Sequence, residues 1–232
     1  MIVSGRNNVK EILKNNQMKN KIKRAICTEK FNELDILSLL ENKKIPLMRK
    51  SKLELDKLAK NNHQGILLEV SDFVYTPLDE LLENAKSHLV ILDHLEDPHN
   101  LGAIIRTVEA SGIDGIIIPK NRSVEVNETV MKTSVGALYN VKISQVTNLN
   151  QTIKTLKKAG FWIVGTDMDG VSYQSLDYPE KCALVIGSEG FGMSRIIKES
   201  CDYIVSIPMN GKINSLNASV ATGIMIYELI RK

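Results

Sequence analysis

The sequence predicts an α/β protein of two domains, in which a small N-terminal α/β domain precedes a larger domain built on a parallel sheet. Short β-rich runs alternate with helical patterns along most of the 232 residues, as in βαβ units. Lys and Arg outnumber Asp and Glu by 15 to 9 over residues 1–72, whereas they are outnumbered by 15 to 18 in the remainder. A Pro-containing stretch, "SDFVYTP", separates the two regions. We therefore expect a domain at 1–72, a linker at 73–87 and a second domain at 88–232.

The first domain is predicted from a short series of alternating patterns. "NVKEILKNN" and "FNELDILSLLENKK" have the apolar spacing of amphipathic helices, and "KIKRAICTE" and "IPLMRK" are extended. In "LELDKLAKNNHQGILLEV" a helix is interrupted at Asn62 and Gly65 before a last strand. A unit of this size is close to the smallest that builds its own core.

The second domain is predicted from six β-rich runs with helical patterns between several of them. The strands are "HLVILDHL", "DGIIIP", "NVKISQV", "GFWIVGTD", "CALVIGSE" and "YIVSIPM", and the helices include "NLGAIIRTVEASG", "NETVMKTSVGAL" and "LNQTIKTLKKAG". Near-continuous apolar strands alternating with helices predict a parallel sheet covered on both faces. Ligands of such sheets bind where the strands end and the helices begin.

Several classes of protein are disfavoured by the composition. The chain carries neither a basic, apolar leader nor an apolar run long enough to cross a bilayer, so a soluble cytoplasmic protein is expected. Cys27, Cys182 and Cys201 stand far apart without a CxxC pair, which favours buried reduced thiols over a zinc site or a disulfide. His94 and His99 share a polar loop with acidic residues but lack a third well-spaced ligand, so no metal is expected.

The first unusual strand end is the stretch "LDHLEDPHNLGAIIRTVEASG". Asn100 is expected to cap its helix, and Arg106 interrupts an otherwise apolar helical face. An arginine beside a core needs a partner. A structural salt bridge to a neighbouring carboxylate is the simplest interpretation of Arg106 taken alone.

The second unusual strand end is "LVIGSEGFGMSRIIKE", a strand, a glycine-rich turn and a helix. Gly187 and Gly192 have the outer spacing of a phosphate-binding loop, but Met193 stands where such a loop needs Lys. Glu189 would also place a negative charge beside the phosphates, so nucleoside triphosphate binding is disfavoured. Two interpretations stay open: a loop that approaches a ligand closely, or a structural turn in which Glu189 caps the helix.

The third is "IPMNGKINSLNAS", which joins a strand to the apolar helix "VATGIMIYELI". One or two of its small polar residues would suffice as a helix cap, whereas the segment carries five: Asn210, Asn214, Ser215, Asn217 and Ser219. Each of the three strand ends alone is compatible with architecture. Together they predict a functional site at one edge of the sheet.

The three stretches resemble motifs one, two and three of the SpoU family of S-adenosylmethionine-dependent RNA 2′-O-ribose methyltransferases, part of the SPOUT superfamily. The N-terminal "GRNNVKEIL" and "KNNHQGILLEV" resemble the two ends of the family's substrate-binding domain. The resemblance therefore covers nearly the whole chain. It implies a deep trefoil knot in the second domain and a homodimer with its interface at the active site.

The resemblance also implies roles for individual residues. The positions that match the family's catalytic and substrate residues are Asn100, Arg106, Glu189, Ser215 and Asn217. The positions that match or adjoin its S-adenosylmethionine contacts are Thr166, Gly187, Ile207 and Leu216. Arg106 is expected at the centre of the chemistry, either as a base in a strongly perturbed site or as a cation that binds phosphate and stabilises the developing alkoxide.

The expected partner is RNA, bound through its backbone by the basic first domain. Its cationic side chains include Lys19, Lys21, Lys23, Arg24, Lys43, Lys44, Arg49 and Lys50. The chain is most similar to the group that methylates a guanosine in the peptidyl-transferase region of 23S ribosomal RNA. Alternatives are methylation of a guanosine in the transfer RNA D-loop, ribosomal RNA methylation that confers thiopeptide resistance, and a non-catalytic RNA-binding factor of ribosome assembly.

Overall fold

The computed structural model describes residues 1–59 and 62–231 and divides the chain into two compact units. Unit 1 consists of Met1–Val74 together with Val126–Tyr139. Unit 2 consists of Tyr75–Glu125 and Asn140–Lys232. Each unit is therefore made of two separate stretches of the chain.

The helices and strands follow one another in an order close to the predicted one. The first 74 residues contain β1 (Ile2–Ser4), α1 (Arg6–Lys14), β2 (Ile22–Thr28), α2 (Leu34–Asn42), β3 (Leu47–Lys50), α3 (Lys52–Leu58) and β4 (Ile66–Val70). The remainder contains α4 (Leu78–Asn84), β5 (His88–Leu92), α5 (Pro98–Ser111), β6 (Gly115–Pro119), α6 (Glu128–Ser134), β7 (Ile143–Val146), α7 (Leu149–Lys158), β8 (Trp162–Ser172), β9 (Cys182–Ile186), α8 (Arg195–Ser200), β10 (Tyr203–Ser206) and α9 (Ala218–Leu229).

Unit 1 is built on a four-stranded sheet with the order β1-β4-β2-β3. β2 and β3 are parallel, and the other neighbours are antiparallel. The apolar spacing in α1 is that of a helix with one buried face, since Val9, Ile12 and Leu13 are buried. α3 begins with a capping box, in which Ser51 and Glu54 satisfy each other's backbone N–H groups.

Residues 126–139 belong to unit 1 although they lie far along the chain. The ammonium group of Lys132 on α6 donates to Ser4 Oγ at 2.9 Å, and Ser4 Oγ donates to Glu128 Oε1 at 3.0 Å. The hydroxyl of Tyr139 donates to the carbonyl of Ser71 at 3.1 Å. The sequence pattern placed this stretch in the second domain because a pattern follows chain continuity and carries no signal of these long-range contacts.

Unit 2 is built on a six-stranded sheet with the order β10-β8-β9-β5-β6-β7, and all its neighbours are parallel. The predicted parallel sheet is thus confirmed. Every residue of β5 after His88, and all of β6 and β9, is buried. Leu149, Ile153 and Leu156 of α7 pack on one face of the sheet. α5 and α9 pack on each other and against β6 and β9.

The stretch expected to be a linker, 73–87, contributes to unit 2. α4 lies within it, and its Leu81 is fully buried in the same core cluster as the α7 residues. Within the described residues, no helix has both the length and the apolar composition needed to cross a bilayer. The trefoil knot stays a prediction of the family resemblance.

Candidate functional site

Three of the five predicted catalytic residues form one hydrogen-bonded cluster in unit 2. The Asn100 side chain on α5 is 5% exposed, and its Nδ2 donates to Glu189 Oε1. Asn217 Nδ2 donates in turn to Asn100 Oδ1 at 2.9 Å. The buried amide of Asn100 is therefore satisfied at both ends, and it fixes the positions of the two side chains that flank it.

The start of each helix explains how these side chains are positioned. The prediction that Asn100 caps α5 is wrong, because the helix begins two residues earlier. Asp97 is the cap and accepts from the backbone N–H of His99 at 2.8 Å, and Pro98 occupies the first helical position. Asn217 caps α9, since its Oδ1 accepts from the N–H groups of Ser219 and Val220 at 3.0 and 3.3 Å. Its Nδ2 remains available for Asn100. One asparagine thus serves both the helix and the cluster.

The glycine-rich loop after β9 carries Glu189 on a closed turn. Ser188 and Gly192 exchange two backbone hydrogen bonds of 3.0 Å. Gly190 and Gly192 adopt positive φ angles, a conformation that favours glycine. Ser194, rather than Glu189, is the cap residue of α8, and its N–H donates to the buried Asp93 Oδ2 at 2.7 Å. Of the two interpretations left open for Glu189, the helix cap is therefore wrong.

Gly187 is required by the close packing of this loop on itself. A Cβ atom at Gly187 would lie 2.2 Å from the carbonyl carbon of Gly192 and 2.3 Å from the nitrogen of Met193. Backbone atoms cannot move aside as a flexible side chain does. Gly187 is one of the four predicted cofactor residues, and the packing of the loop leaves no room for a side chain at this position.

The other three predicted cofactor residues line a cavity of about 480 Å³. Thr166 lies on one wall, and Ile207, Ser215 and Leu216 lie on the segment between β10 and α9. Thr166 Oγ1 donates to the carbonyl of Val185 at 3.0 Å, which fixes this side chain to the neighbouring strand β9. Within the described residues, the backbone groups of 207–216 make no backbone hydrogen bonds, so they are available to a ligand.

An ion pair lies beside this cavity that the sequence patterns did not single out. Asp167, which lines the cavity, contacts Lys198 Nζ at 2.9 Å. Partial burial is the largest single effect and opposes ionisation of Asp167. The hydrogen bond and charge of Lys198, together with backbone hydrogen bonds from Asp169 and Met168, outweigh it, so the pKa of the carboxyl is lowered. The carboxylate is therefore ionised and paired. Its only sequence signal was its place at the end of the predicted strand "GFWIVGTD", and β8 continues past it to Ser172.

Arg106 and Ser215 are the two predicted catalytic residues outside the cluster. Arg106 is exposed on α5, and no hydrogen bond or ion pair holds its guanidinium among residues 1–59 and 62–231. The salt bridge considered for it is thus absent from that part of the chain. It lies six residues after Asn100, or roughly 9 Å along the helix axis. Ser215 lies on the wall of the cavity, two residues before Asn217.

The site contains no recognisable metal centre in the part of the chain that the structure describes. No group of three or more His, Cys, Asp or Glu side chains comes close enough there to hold an ion. The buried Asp93 carboxylate is occupied by the N–H of Ser194 and by His94 Nδ1.

Comparison with known proteins places these features in a family. Residues 87–227 match the model of the SpoU rRNA Methylase family, and residues 2–76 match the model for RNA 2′-O ribose methyltransferase substrate binding. A protein of Staphylococcus saprophyticus, named as a TrmH family tRNA/rRNA methyltransferase, is 44% identical over 100% of this chain and 96% of its own length.

Solved structures share the fold. The SpoU methyltransferase AviRb from Streptomyces viridochromogenes, in complex with AdoMet, is 23% identical, covers 99% of this chain and 88% of its own, and superposes with a TM-score of 0.79. The TrmH/SpoU tRNA modifying enzyme of A. aeolicus is 36% identical over 66% of this chain and 78% of its own, with a TM-score of 0.57. The two family models together match most of both units, so the chain belongs to the SpoU family of RNA methyltransferases.

Proposed function

We propose that this protein methylates the 2′-oxygen of a ribose in RNA with S-adenosylmethionine as the methyl donor, and that the target is a guanosine in the peptidyl-transferase region of 23S ribosomal RNA. The observation that supports the reaction best is the cluster of Asn100, Glu189 and Asn217. It adjoins the 480 Å³ cavity through Ser215 and Leu216. Predicted donor and acceptor residues are thus gathered at one edge of a parallel sheet, where ligands of such sheets bind.

The cavity suits S-adenosylmethionine in size and lining. Its volume of about 480 Å³ lies within the roughly 300–1,000 Å³ typical of small-molecule sites. Ile207 and Leu216 offer an apolar surface for a planar base, and the backbone groups of the lining residues 207–209 and 214–216 offer donors and acceptors for polar groups. S-adenosylmethionine supplies a methyl group activated by the positive charge on its sulfur.

The chain's own residues bind and orient the RNA ribose. When bound, S-adenosylmethionine would give its methyl group to the 2′-oxygen and leave as S-adenosylhomocysteine, and the hydroxyl proton would pass to the adjacent phosphate or to water. The fixed carboxylate of Glu189 and the amides of Asn100 and Asn217 orient the groups around the ribose. Arg106, free and exposed on α5, supplies a cation for the adjacent phosphate and for charge that develops on the oxygen.

Unit 1 is proposed to bind the RNA backbone. Lys19, Lys23 and Lys44 are exposed, and none of them takes part in an ion pair among the described residues. Arg24 and Lys50 form ion pairs with Glu69 and Glu54, which reduces their availability to phosphate. Part of the predicted cationic surface therefore remains free for RNA, whose recognition would rest on shape and phosphate contacts.

A homodimer is proposed from an apolar face in unit 2. α9 is mostly apolar and has no distinct polar face, and its Val220 and Tyr227 are 50% and 56% exposed. These residues are seven apart and lie on one face of the helix. A helix without a distinct polar face is normally buried, so a second copy of the chain is the expected cover.

The test is methyl transfer from labelled S-adenosylmethionine to bulk transfer RNA, small-subunit RNA and large-subunit RNA, followed by mapping of the modified nucleotide. Label at a guanosine of the peptidyl-transferase region would support the full proposal. Label in transfer RNA would favour the second candidate, a D-loop guanosine. The likeness to a tRNA modifying enzyme supports a transfer RNA substrate. Methylation of a ribosomal site that confers thiopeptide resistance would appear as label elsewhere in ribosomal RNA. RNA binding without cofactor binding would indicate a non-catalytic ribosome-assembly factor rather than an enzyme.

Arg106→Ala tests the catalytic assignment. We expect at least a hundredfold loss of kcat with unchanged affinity for S-adenosylmethionine, as when a group acts mainly in the transition state, and RNA binding weakened by no more than the loss of one phosphate contact. Lys154→Ala, which removes an exposed cation from α7, serves as the control and should keep full activity. Full activity of Arg106→Ala would remove Arg106 from the mechanism.

A further inference from the structure

Phe191 is the most exposed large apolar residue among those that the structure describes. Its relative exposure is 93%, and it lies on the glycine-rich loop two residues after Glu189. A phenylalanine in this position exposes apolar surface to water, and contact with another molecule that covers the ring would be favourable. The ring is therefore a candidate contact site for a ligand or a partner.

The loop presents this ring from a constrained backbone. The two hydrogen bonds between Ser188 and Gly192 close the turn on either side of Phe191, and Ser188 Oγ also donates to the Gly192 carbonyl at 3.3 Å. The buried side chain of Met193 anchors the loop in the core. Little conformational entropy remains to be lost when a ligand contacts a loop held in this way.

A second cavity of about 460 Å³ lies beneath the ring. It is lined by Phe191 and Glu189 from the loop after β9, by His94 and Glu96 from the loop after β5, and by Arg122 from the loop after β6. These are the carboxyl ends of three neighbouring strands, since the sheet order contains β9-β5-β6. The cavity is thus separate from the proposed cofactor cavity but shares Glu189 with the catalytic cluster.

The wall that carries Arg122 is fixed to its neighbour. Ser123 Oγ and the N–H of Val124 both donate to the carbonyl of Leu95, at 3.1 and 2.7 Å. Arg122 is exposed, and no ion pair holds it among the described residues. The cavity therefore combines an aromatic face and an unpaired guanidinium on a supported frame.

We propose that Phe191 is a stacking platform for an unpaired nucleobase of the RNA substrate, with Arg122 contacting a phosphate of the same strand. The proposal rests on the proposed function in one respect, namely that RNA is the ligand. An aromatic ring and a guanidinium side by side are the chemistry by which proteins bind splayed, single-stranded nucleotides. The shared residue Glu189 links this cavity to the catalytic cluster, so the stacked base lies at or beside the nucleotide that is methylated.

The first experiment compares Phe191→Ala, Phe191→Leu and Phe191→Tyr in the full chain. The probe is an unmodified transcript of the RNA that the wild type methylates, or unmodified large-subunit RNA if it methylates none. Stacking on an aromatic ring is worth enough to predict a rise of about fivefold to a hundredfold in the RNA Kd, and in KM where there is turnover, for the Ala and Leu variants. Phe191→Tyr should stay near the wild type, because it keeps the ring.

Affinity for S-adenosylmethionine, measured by calorimetry, should be unchanged in all three variants, which shows that the fold and the cofactor cavity are intact. Phe191→Leu equal to the wild type would overturn the proposal, since apolar contact without a ring would then suffice. An unchanged RNA Kd in Phe191→Ala would also overturn it. So would a shift of Phe191→Ala from dimer to monomer in sedimentation, because the occupant would then be a second copy of the chain.

A second experiment locates the base. Single abasic nucleotides are placed in turn at the methylated position and at two positions on either side, or across the footprint of the bound RNA when no position is methylated. At one position the difference between the wild type and Phe191→Ala should disappear, as in a double-mutant cycle. A difference that persists at every position would overturn stacking.

Arg122→Gln tests the phosphate contact. The dependence of log Kd on log salt should become shallower by about 0.7 to 0.9, as expected for one lost phosphate contact. Lys86→Gln is the control, since Lys86 is exposed just before β5, at the amino-terminal edge of the sheet, and should leave the slope unchanged. An unchanged slope in Arg122→Gln would remove Arg122 from the platform. If the RNA Kd of the Phe191 and Arg122 variants changes as predicted but the wild type transfers no methyl group, the proposed function is wrong and the stacking proposal is still supported.

Discussion

At the scale of single residues, Asn217 uses the two ends of one amide for two tasks. Its oxygen accepts from the first turn of α9, and its nitrogen donates to Asn100. The sequence could indicate the first task, because Asn is a preferred cap residue. The second task depends on a contact between residues 117 apart, which no local pattern carries, and the family resemblance implied only that both residues belong to the site.

Two substitutions at Asn217 should separate these tasks. Asn217→Asp keeps a capping oxygen but loses the donor to Asn100 and adds a negative charge close to Glu189. We expect its free energy of unfolding to fall by about 1–3 kcal/mol, because the buried Asn100 Oδ1 loses its donor, while methyl transfer falls at least tenfold. Asn217→Ala should lose about 0.5–2 kcal/mol of stability in addition.

Urea unfolding and methyl-transfer kinetics of the two variants check this expectation. Equal loss of stability in both variants would show that the cap depends on the amide nitrogen. Full activity of Asn217→Asp would show that the bond to Asn100 has no catalytic importance.

The buried thiols should respond to pH in a defined direction. Burial raises the pKa of Cys182 to about 12, from an ordinary value near 9.0. The unfolded chain therefore releases this proton above pH 9 while the folded chain retains it, so the free energy of unfolding falls as pH rises from about 9 to 12. The raised value also makes the native thiol a poor nucleophile at pH 8.

Urea unfolding between pH 8 and 10.5 measures this effect. Cys182→Ala should show a shallower decline than the wild type, by up to about 1.4 kcal/mol per pH unit above pH 9, whatever its starting stability. Other titrating groups are shared by the two proteins and cancel. Identical declines, or rapid reaction of native Cys182 with a disulfide reagent at pH 8, would contradict the burial of this thiol.

At the scale of helices and strands, periodicity was a good guide where an element is long and buried on a regular face. α1, α5 and α7, and the strands of unit 2, match their predicted runs within a few residues. β1 was not predicted, because three residues carry too little periodicity. α4 was placed in the linker because its first turn follows a proline and its length is only seven residues.

The sequence likewise predicted only those site residues that belong to a local pattern. The signals for Asn100, Glu189 and Asn217 lie in local motifs, whereas Phe191 and Arg122 have no local pattern that distinguishes them from ordinary surface residues. Their meaning arises from the sheet order, which places the loops after β9, β5 and β6 side by side. Sheet order is a long-range property that spacing along the chain does not carry.

Gly187→Ala tests the close packing of the glycine-rich loop. The added Cβ would meet backbone atoms of Gly192 and Met193, so the loop must shift. We expect a loss of about 1–3 kcal/mol in stability, as for other overpacked positions, and weaker binding of S-adenosylmethionine.

Gly211→Ala provides the matched control, because its Cβ would meet nothing within 4 Å and its φ angle is not in the positive region. Thermal unfolding with and without S-adenosylmethionine compares the two variants. Equal melting temperatures and equal stabilisation by the cofactor would show that the loop relaxes without cost.

At the scale of the whole molecule, the apolar face of α9 predicts the state of association. The wild type should sediment as a dimer, and Val220→Glu should sediment as a monomer because it places a charge on the exposed face. Leu34→Glu, at a residue 78% exposed on α2 of unit 1, is the control and should remain dimeric. A monomeric wild type, or a dimeric Val220→Glu, would move the interface elsewhere or remove it.

The placement of residues 126–139 in unit 1 affects how the protein folds during its synthesis on the ribosome. A growing chain emerges from its N-terminus, and domains ordinarily fold in that order. Here β5 and β6 of unit 2 emerge before α6, which unit 1 needs to be complete. β7 to β10 follow only afterwards. Neither unit is therefore finished before the other has begun, and translation stopped between residues 74 and 125 leaves both of them incomplete.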